Sequence, residues 1–182
     1  MLLNQTILSL AKMAIRDGLT GENSIDREDF LKRYPAFGEH RATFVTLMLE
    51  GNLRGCIGSL IAYSPLIDDL IHNAKAAAFE DPRFYPLSME EFKKVSIEVS
   101  LLTPPQEVFY DSIEDLKSKI NVGEDGIILQ SQGRKATFLP QVWEQLPTFE
   151  LFFAHLCQKA GLSPAVLGEN PEIWKYSVEK IK

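Results

Sequence analysis

Apolar residues change their spacing along the chain, and the changes mark out the elements. From residue 2 to residue 18 they recur at helical intervals (Leu3, Ile7, Leu10, Ala14, Ile15), and Gly18 closes the run. The pattern predicts an amphipathic helix whose apolar stripe covers a sheet. A short second helix is predicted from Asp26 to Arg33, stopped by Tyr34-Pro35. Thr43 to Leu49 is strongly apolar, and after Glu50-Gly51-Asn52 comes a second strand-like run, Leu53 to Gly58. The two runs read as a β-hairpin turning at Gly51-Asn52. That turn sets Leu49 opposite Arg54, Leu47 opposite Cys56 and Val45 opposite Gly58. A one-residue bulge would break this pairing.

Ser64-Pro65 opens a further helix, with Ser64 as N-cap and Pro65 in the first turn. Ile67, Ile71, Ala74 and Ala78 share one face of it, and Asp68, His72 and Lys75 share another. Its alanine cluster (Ala74, Ala76, Ala77, Ala78) permits a close neighbour, which Gly55 and Gly58 suit. The helix ends by Glu80, because Pro82 disfavours helical geometry at Asp81. Asp81 to Leu87 is then a stiff connector, and Ser88 caps a short acidic turn, Met89 to Phe92. Val95 to Leu102 alternates as a half-buried strand, with Ser96, Glu98 and Ser100 on one face.

Thr103-Pro104-Pro105 ends that strand and bounds two intimately packed lobes, about 1–103 and 104–182. In the second lobe a helix starts near Asp111, and a hairpin (Ile127–Gln130, Lys135–Leu139) turns near Gln132-Gly133. Pro140 starts one helix, another runs from Phe149 to Ala160 and stops at Gly161, and Ile173 to Val178 reads as a final strand. Hairpin-then-helix occurs at 43–80 and again at 127–160, an order that suggests architectural duplication.

The strand from Leu53 to Gly58 is chemically odd for a core strand. Arg54 on an apolar face is costly unless it is paired or opens onto a cleft. One reading makes the strand ligand-facing, with Arg54 as an anion clamp and Cys56 as a thiol acidified by its neighbour. The other makes Arg54 half of an ion pair, Cys56 a small hydrophobe and the glycines room for a helix. Asp81, Arg83 and Phe84 form either a cleft wall or a local turn with a buried aromatic. Glu98 is either solvated or the partner of Arg54, or a general base beside Cys56.

Composition narrows the classes. The chain has 182 residues, 45% hydrophobic and 24% charged, as expected of a soluble globular protein of one domain or two lobes. A formal charge of -6 weighs against non-specific nucleic-acid binding. Asn4, Gln5, Ser9 and Lys12 interrupt any signal-peptide core, and no run suits a membrane span, so a cytoplasmic protein with reduced thiols is expected. Cys56 and Cys157 are the only cysteines, and Cys157 reads as structural. His40, His72 and His155 are scattered, and no Cys/His spacing fits a metal site.

The hexapeptide Leu53-Arg54-Gly55-Cys56-Ile57-Gly58 is followed by Asp81-Pro82-Arg83-Phe84 and then Glu98-Val99-Ser100. With Gly123-Glu124-Asp125-Gly126, Phe138-Leu139-Pro140-Gln141-Val142 and Lys159-Ala160-Gly161-Leu162, these resemble the AMMECR-type domain over nearly the whole chain. Microbial members are called AmmeMemoRadiSam system protein A. The resemblance implies an α+β fold: a largely antiparallel, barrel-like sheet in two lobes, flanked by helices. It also implies a setting with a Memo-like protein and a radical-SAM enzyme; it does not imply a known reaction, and it leaves the cofactors unknown. Its motifs fall on Arg54 and Cys56, on Asp81, Arg83 and Phe84, and on Glu98 and Ser100.

Three functions follow as expectations. The first is a catalytic or small-molecule cleft in which Arg54 holds an anionic group, Cys56 is a nucleophile or thiol ligand and Glu98 a base or the partner of Arg54, with Asp81, Arg83, Phe84 and Ser100 as ligand contacts. The second is a non-catalytic adaptor for the Memo-like or radical-SAM partner. The third, and weakest, is an RNA-associated factor.

Overall fold

A computed structural model describes residues 2–182. The chain divides into two compact units, one running to Leu102 and taking back Glu179–Lys182, the other Thr103–Val178.

In the first unit, helices α1 (Leu2–Thr20) and α2 (Arg27–Arg33) precede strands β1 (Thr43–Leu49) and β2 (Asn52–Gly58). Helix α3 (Leu66–Phe79), the single turn α4 (Met89–Phe92) and strand β3 (Ser96–Leu102) follow. The sheet order is β2-β1-β3-β8, where β8 is Val178–Ile181 at the end of the chain. Ile7, Leu10 and Ala14 of α1 and Ile67, Leu70 and Ala74 of α3 pack with Val45, Leu47, Val99 and Leu101 into one core. The helical stripe and the period-two face thus meet as their spacing requires.

The second unit contains β4 (Gln106–Glu107), α5 (Ile113–Lys119), β5 (Gly126–Ser131), β6 (Arg134–Phe138), α6 (Phe149–Lys159) and β7 (Glu172–Tyr176). Its sheet order is β4-β7-β5-β6. Phe152, Phe153 and Leu156 of α6 pack on Ile127, Leu129 and Ile173, and Trp143 stacks on Phe152 at 3.7 Å.

The architecture is α+β with antiparallel sheets. The barrel is a correction. Each sheet is open and four-stranded, and each is covered by helices of its own unit. Four short strands are too few to curl until their edges meet, since even small barrels take about five.

Four further expectations change. The first turn is Glu50-Gly51, not Gly51-Asn52: both have positive φ (52° and 80°), and Leu49 pairs with Asn52. A type I′ turn demands positive φ at both central positions, and glycine suits the second. The register then slips between Leu47 and Met48, so Leu47 pairs with Gly55, Thr46 with Cys56 and Phe44 with Gly58, and Arg54 is the extra, bulged residue. The helix α3 begins at Leu66 with Pro65 as its N-cap, and no side chain caps it. Instead the Leu66 amide donates to the Glu39 carbonyl at 2.8 Å. The final strand is two strands, broken at Ser177, whose amide donates to Thr103 Oγ1 and whose carbonyl accepts from the Thr103 amide. The second of these, β8, completes the first sheet.

Candidate functional site

The site is assembled where α3 runs closest to β2. A Cβ on Gly55 would stand 2.1 Å from the Ala77 carbonyl oxygen, and one on Gly58 2.2 Å from the Phe44 ring. Glycine at 55 and the small buried face of Ala76, Ala77 and Ala78 let helix and strand approach this closely. The helix stops at Glu80, and the connector turns through Asp81, with the Phe84 amide donating to the Asp81 carbonyl at 3.1 Å. The Leu87 amide returns to the Ala78 carbonyl at 2.8 Å and fixes the connector's far end.

Asp81 is 4% exposed and is surrounded by donors. Its carboxylate accepts from the Cys56 amide at 2.9 Å, from the Arg83 amide at 3.0 Å, and from Arg83 Nε and Nη2 at 3.0 and 2.7 Å. The Arg83 guanidinium, helped by the two amides, holds its pKa far below the usual carboxylate range, against the cost of burial. Arg83 also reaches the Cys56 carbonyl at 3.4 Å. Cys56 sits opposite Thr46 in a non-hydrogen-bonded pair, so its amide and carbonyl point away from β1 to the free edge, and the Asp81–Arg83 pair occupies both. The Cys56 thiol lies 3.3 Å from Thr46 Oγ1 across the strand pair. This close side-chain contact suits a non-hydrogen-bonded antiparallel pair.

Arg54 turns the other way. Its Nε and Nη2 donate to Glu91 at 2.9 and 3.1 Å, and Nη2 also to the Tyr85 carbonyl at 2.9 Å. Its side chain is 11% exposed, and Nη1 is buried with no partner. Glu91 closes a capping box with Ser88. The Arg54 guanidinium and then the Ser88 amide lower its carboxyl to about 2. The Phe84 ring has Arg54 over it at 5.7 Å and Arg83 at 5.5 Å, a cation–π contact with each. The connector is thereby braced by two ion pairs and one ring. Its tip, Tyr85, is 90% exposed between two exposed prolines, Pro82 and Pro86, that straddle Arg83 and Phe84.

Of the alternative readings of Glu98, the pair with Arg54 is not formed. Glu98 binds Lys182 at 2.8 Å, on β3, which is separated from β2 by β1. Two strand spacings put Glu98 about 10 Å from Cys56, too far for direct proton transfer. Cys56, Thr46 and Glu98 do share one cross-strand row, and Gly58, Phe44 and Ser100 the next. The row facing Cys56 is thus polar, because Val45 and Leu47 point into the core. His40 and His72 are exposed, and burial raises the pKa of the fully buried Cys157 thiol. Among the described residues, no group of three or more His, Cys, Asp and Glu side chains is arranged to hold a metal ion. No described helix is long and apolar enough to cross a membrane.

The AMMECR1 family model matches residues 8–181. The chain belongs to the AMMECR1 family. A Methanothermobacter thermautotrophicus protein is 41% identical over 165 residues, 88% of this chain and 83% of that protein. One from Aquifex aeolicus is 36% identical over 163 residues, 86% of this chain and 80% of that protein. The crystal structure of an uncharacterized Pyrococcus horikoshii protein superposes with a TM-score of 0.78 at 35% identity, covering 96% of this chain and 88% of that one. In this AMMECR1 domain the first motif is β2, the second is the connector that clamps it, and the third is β3 two strands away.

Glu91, Thr46 and Tyr85 complete the site, and none was singled out from the sequence. Glu91 had a signal in Ser88-x-x-Glu91, the capping-box spacing. Thr46 had none, because its pairing depends on the bulge at Arg54.

Proposed function

We propose that the chain is a non-catalytic docking component, an adaptor that binds a Memo-like protein or a radical-SAM enzyme through the connector 82–86. One observation carries this reading. The charges around the connector are spent on ion pairs, Arg54 with Glu91 and Asp81 with Arg83, and what they hold rigid is a proline-braced tip that exposes Tyr85. Exposed Tyr flanked by Arg on a preorganised loop suits a binding hot spot, since little ordering entropy remains to be lost. A general base or anion clamp, by contrast, needs an unspent charge. In the same reading, the parallel strand orders β2-β1-β3-β8 and β6-β5-β7-β4 support descent of the two halves from one hairpin–helix unit.

The test is binding of the purified chain to each partner at micromolar concentration. Tyr85→Ala should weaken the complex about 30-fold, as loss of a hot-spot aromatic does, while Cys56→Ser leaves it unchanged. Absence of a complex with either partner sinks the adaptor reading.

A second reading, a small-molecule site at Cys56, is favoured by the partly buried free cysteine and by the unpartnered Nη1 of Arg54 on the same strand. It predicts a small bound mass in native mass spectrometry, anionic in character and absent from Cys56→Ser.

A further inference from the structure

Each sheet leaves two edge strands, and the four edges are β2 and β8 in the first sheet, β4 and β6 in the second. An edge with free amides and carbonyls is a template for another chain, and proteins block it with charge or shortness. Three of the four edges carry their own block. The strand β8 exposes Glu179 and Lys180, β6 exposes Arg134 and Lys135, and β4 has only two residues. The strand β2 has neither device. It is seven residues long, and its single charge, Arg54, is turned inward to Glu91. What stands at its free edge is the Asp81–Arg83 pair, which fills the amide and carbonyl of Cys56 as a neighbouring strand would.

We propose that the Asp81–Arg83 pair guards the edge of β2 against antiparallel pairing with β2 of a second copy of this chain. The second copy is the partner that fits. Pairing about a two-fold axis at Cys56 would satisfy both exposed edges at once, which an isologous contact allows. It sets Arg54 opposite Gly58, so no like charges face each other, whereas pairing with β6 or β8 of another copy meets their exposed charges. The proposal concerns the isolated chain, and it stands or falls independently of partner docking through Tyr85.

The experiment is light scattering on the full chain carrying Asp81→Asn and Arg83→Ala together, with wild type at the same concentration as reference. The expected result is a twofold rise in mass. Copper–phenanthroline oxidation should then link Cys56 to Cys56, because the Cα atoms of a hydrogen-bonded antiparallel pair lie about 5.5 Å apart, within disulfide reach. Adding Cys56→Ser should remove the cross-link and leave the doubled mass. A variant with wild-type mass and native circular dichroism overturns the proposal, as does a doubled mass without the Cys56 cross-link. If the double variant does not fold, Arg83→Ala alone frees the Cys56 carbonyl, and increased self-association carries the proposal while an unchanged mass overturns it.

Discussion

The two hairpins start from the same local code and end in different chemistry. Both turn on two residues of positive φ, Glu50-Gly51 at 52° and 80° and Gln132-Gly133 at 51° and 72°. Both place their second strand at a sheet edge. The pair β5–β6 keeps a regular register from Ile127↔Phe138 to Ser131↔Arg134, whereas β1–β2 slips at Arg54. The edge of β6 meets a long, exposed lysine, with Lys159 Nζ on the Thr137 carbonyl at 2.9 Å. The edge of β2 meets a buried carboxylate and its arginine. A regular ladder with a solvated cap leaves its neighbours free to move. A bulged strand pressed against a helix and clamped by paired charges fixes the position of everything attached to it, here the connector and Tyr85.

The largest effect should come from the close approach that separates the two hairpins. Gly55→Ala places a methyl group against the Ala77 carbonyl, a backbone atom that cannot rotate away. It should cost about 3 kcal/mol or abolish folding, the upper end of overpacking. In β6, Ala136→Gly should cost about 1 kcal/mol, through backbone entropy and a lost methyl. Urea denaturation of the two variants measures both. Equal losses would mean that α3 yields readily and that the contact does not set the geometry of β2.

Next in size is the Arg54–Glu91 pair. Glu91→Gln leaves a guanidinium 11% exposed with weakened neutralisation, and should cost about 2 kcal/mol at neutral pH. Glu91's folded pKa is depressed to about 2 from 4.5, so the unfolded chain binds more protons between those values. Stability from this group is therefore present above pH 4.5 and is lost as pH falls toward 2. Glu91→Gln should flatten the wild-type stability profile over that window, as read by melting temperature against pH. An unchanged slope would assign the acid sensitivity elsewhere, first to Asp81, whose pKa is depressed in the same direction.

Much of the fold was legible because it rests on period and punctuation. The helical stripe of Leu3 to Ile15, the alternation from Ser96 to Leu102 and the Pro82 stop each state their element locally. The open sheets and the destination of β8 were not legible. Four residues, Val178–Ile181, say nothing local about which sheet they join. The site was half legible. Arg54, Asp81, Arg83 and Phe84 stood out as unusual residue types in unusual places, and they do cluster. Their partners did not stand out. The earlier turn at Glu50-Gly51 would have set Cys56 opposite Val45, the bulge at Arg54 moved it on to Thr46, and Arg54 found Glu91 of α4 rather than Glu98 of β3. Register and side-chain direction around a bulge are tertiary properties, set here by α3 pressing on Gly55.

The smallest effect should be at the edge of β6. Lys159 spans the Thr137 carbonyl and the Phe138 ring, the latter at 5.0 Å, but its head is solvated. An exposed cation–π contact contributes about 0.5–1 kcal/mol, and an exposed hydrogen bond to a carbonyl that water can replace adds little. Lys159→Ala should therefore cost about 0.5 kcal/mol and leave the chain's mass in solution unchanged, because Arg134 and Lys135 still charge that edge. Denaturation and light scattering on this variant, beside the Asp81→Asn and Arg83→Ala double variant, test the comparison at its weakest point. If loss of one lysine drives association as strongly as loss of the buried pair, the two edges are guarded alike, and the bulged strand has no special need of its clamp.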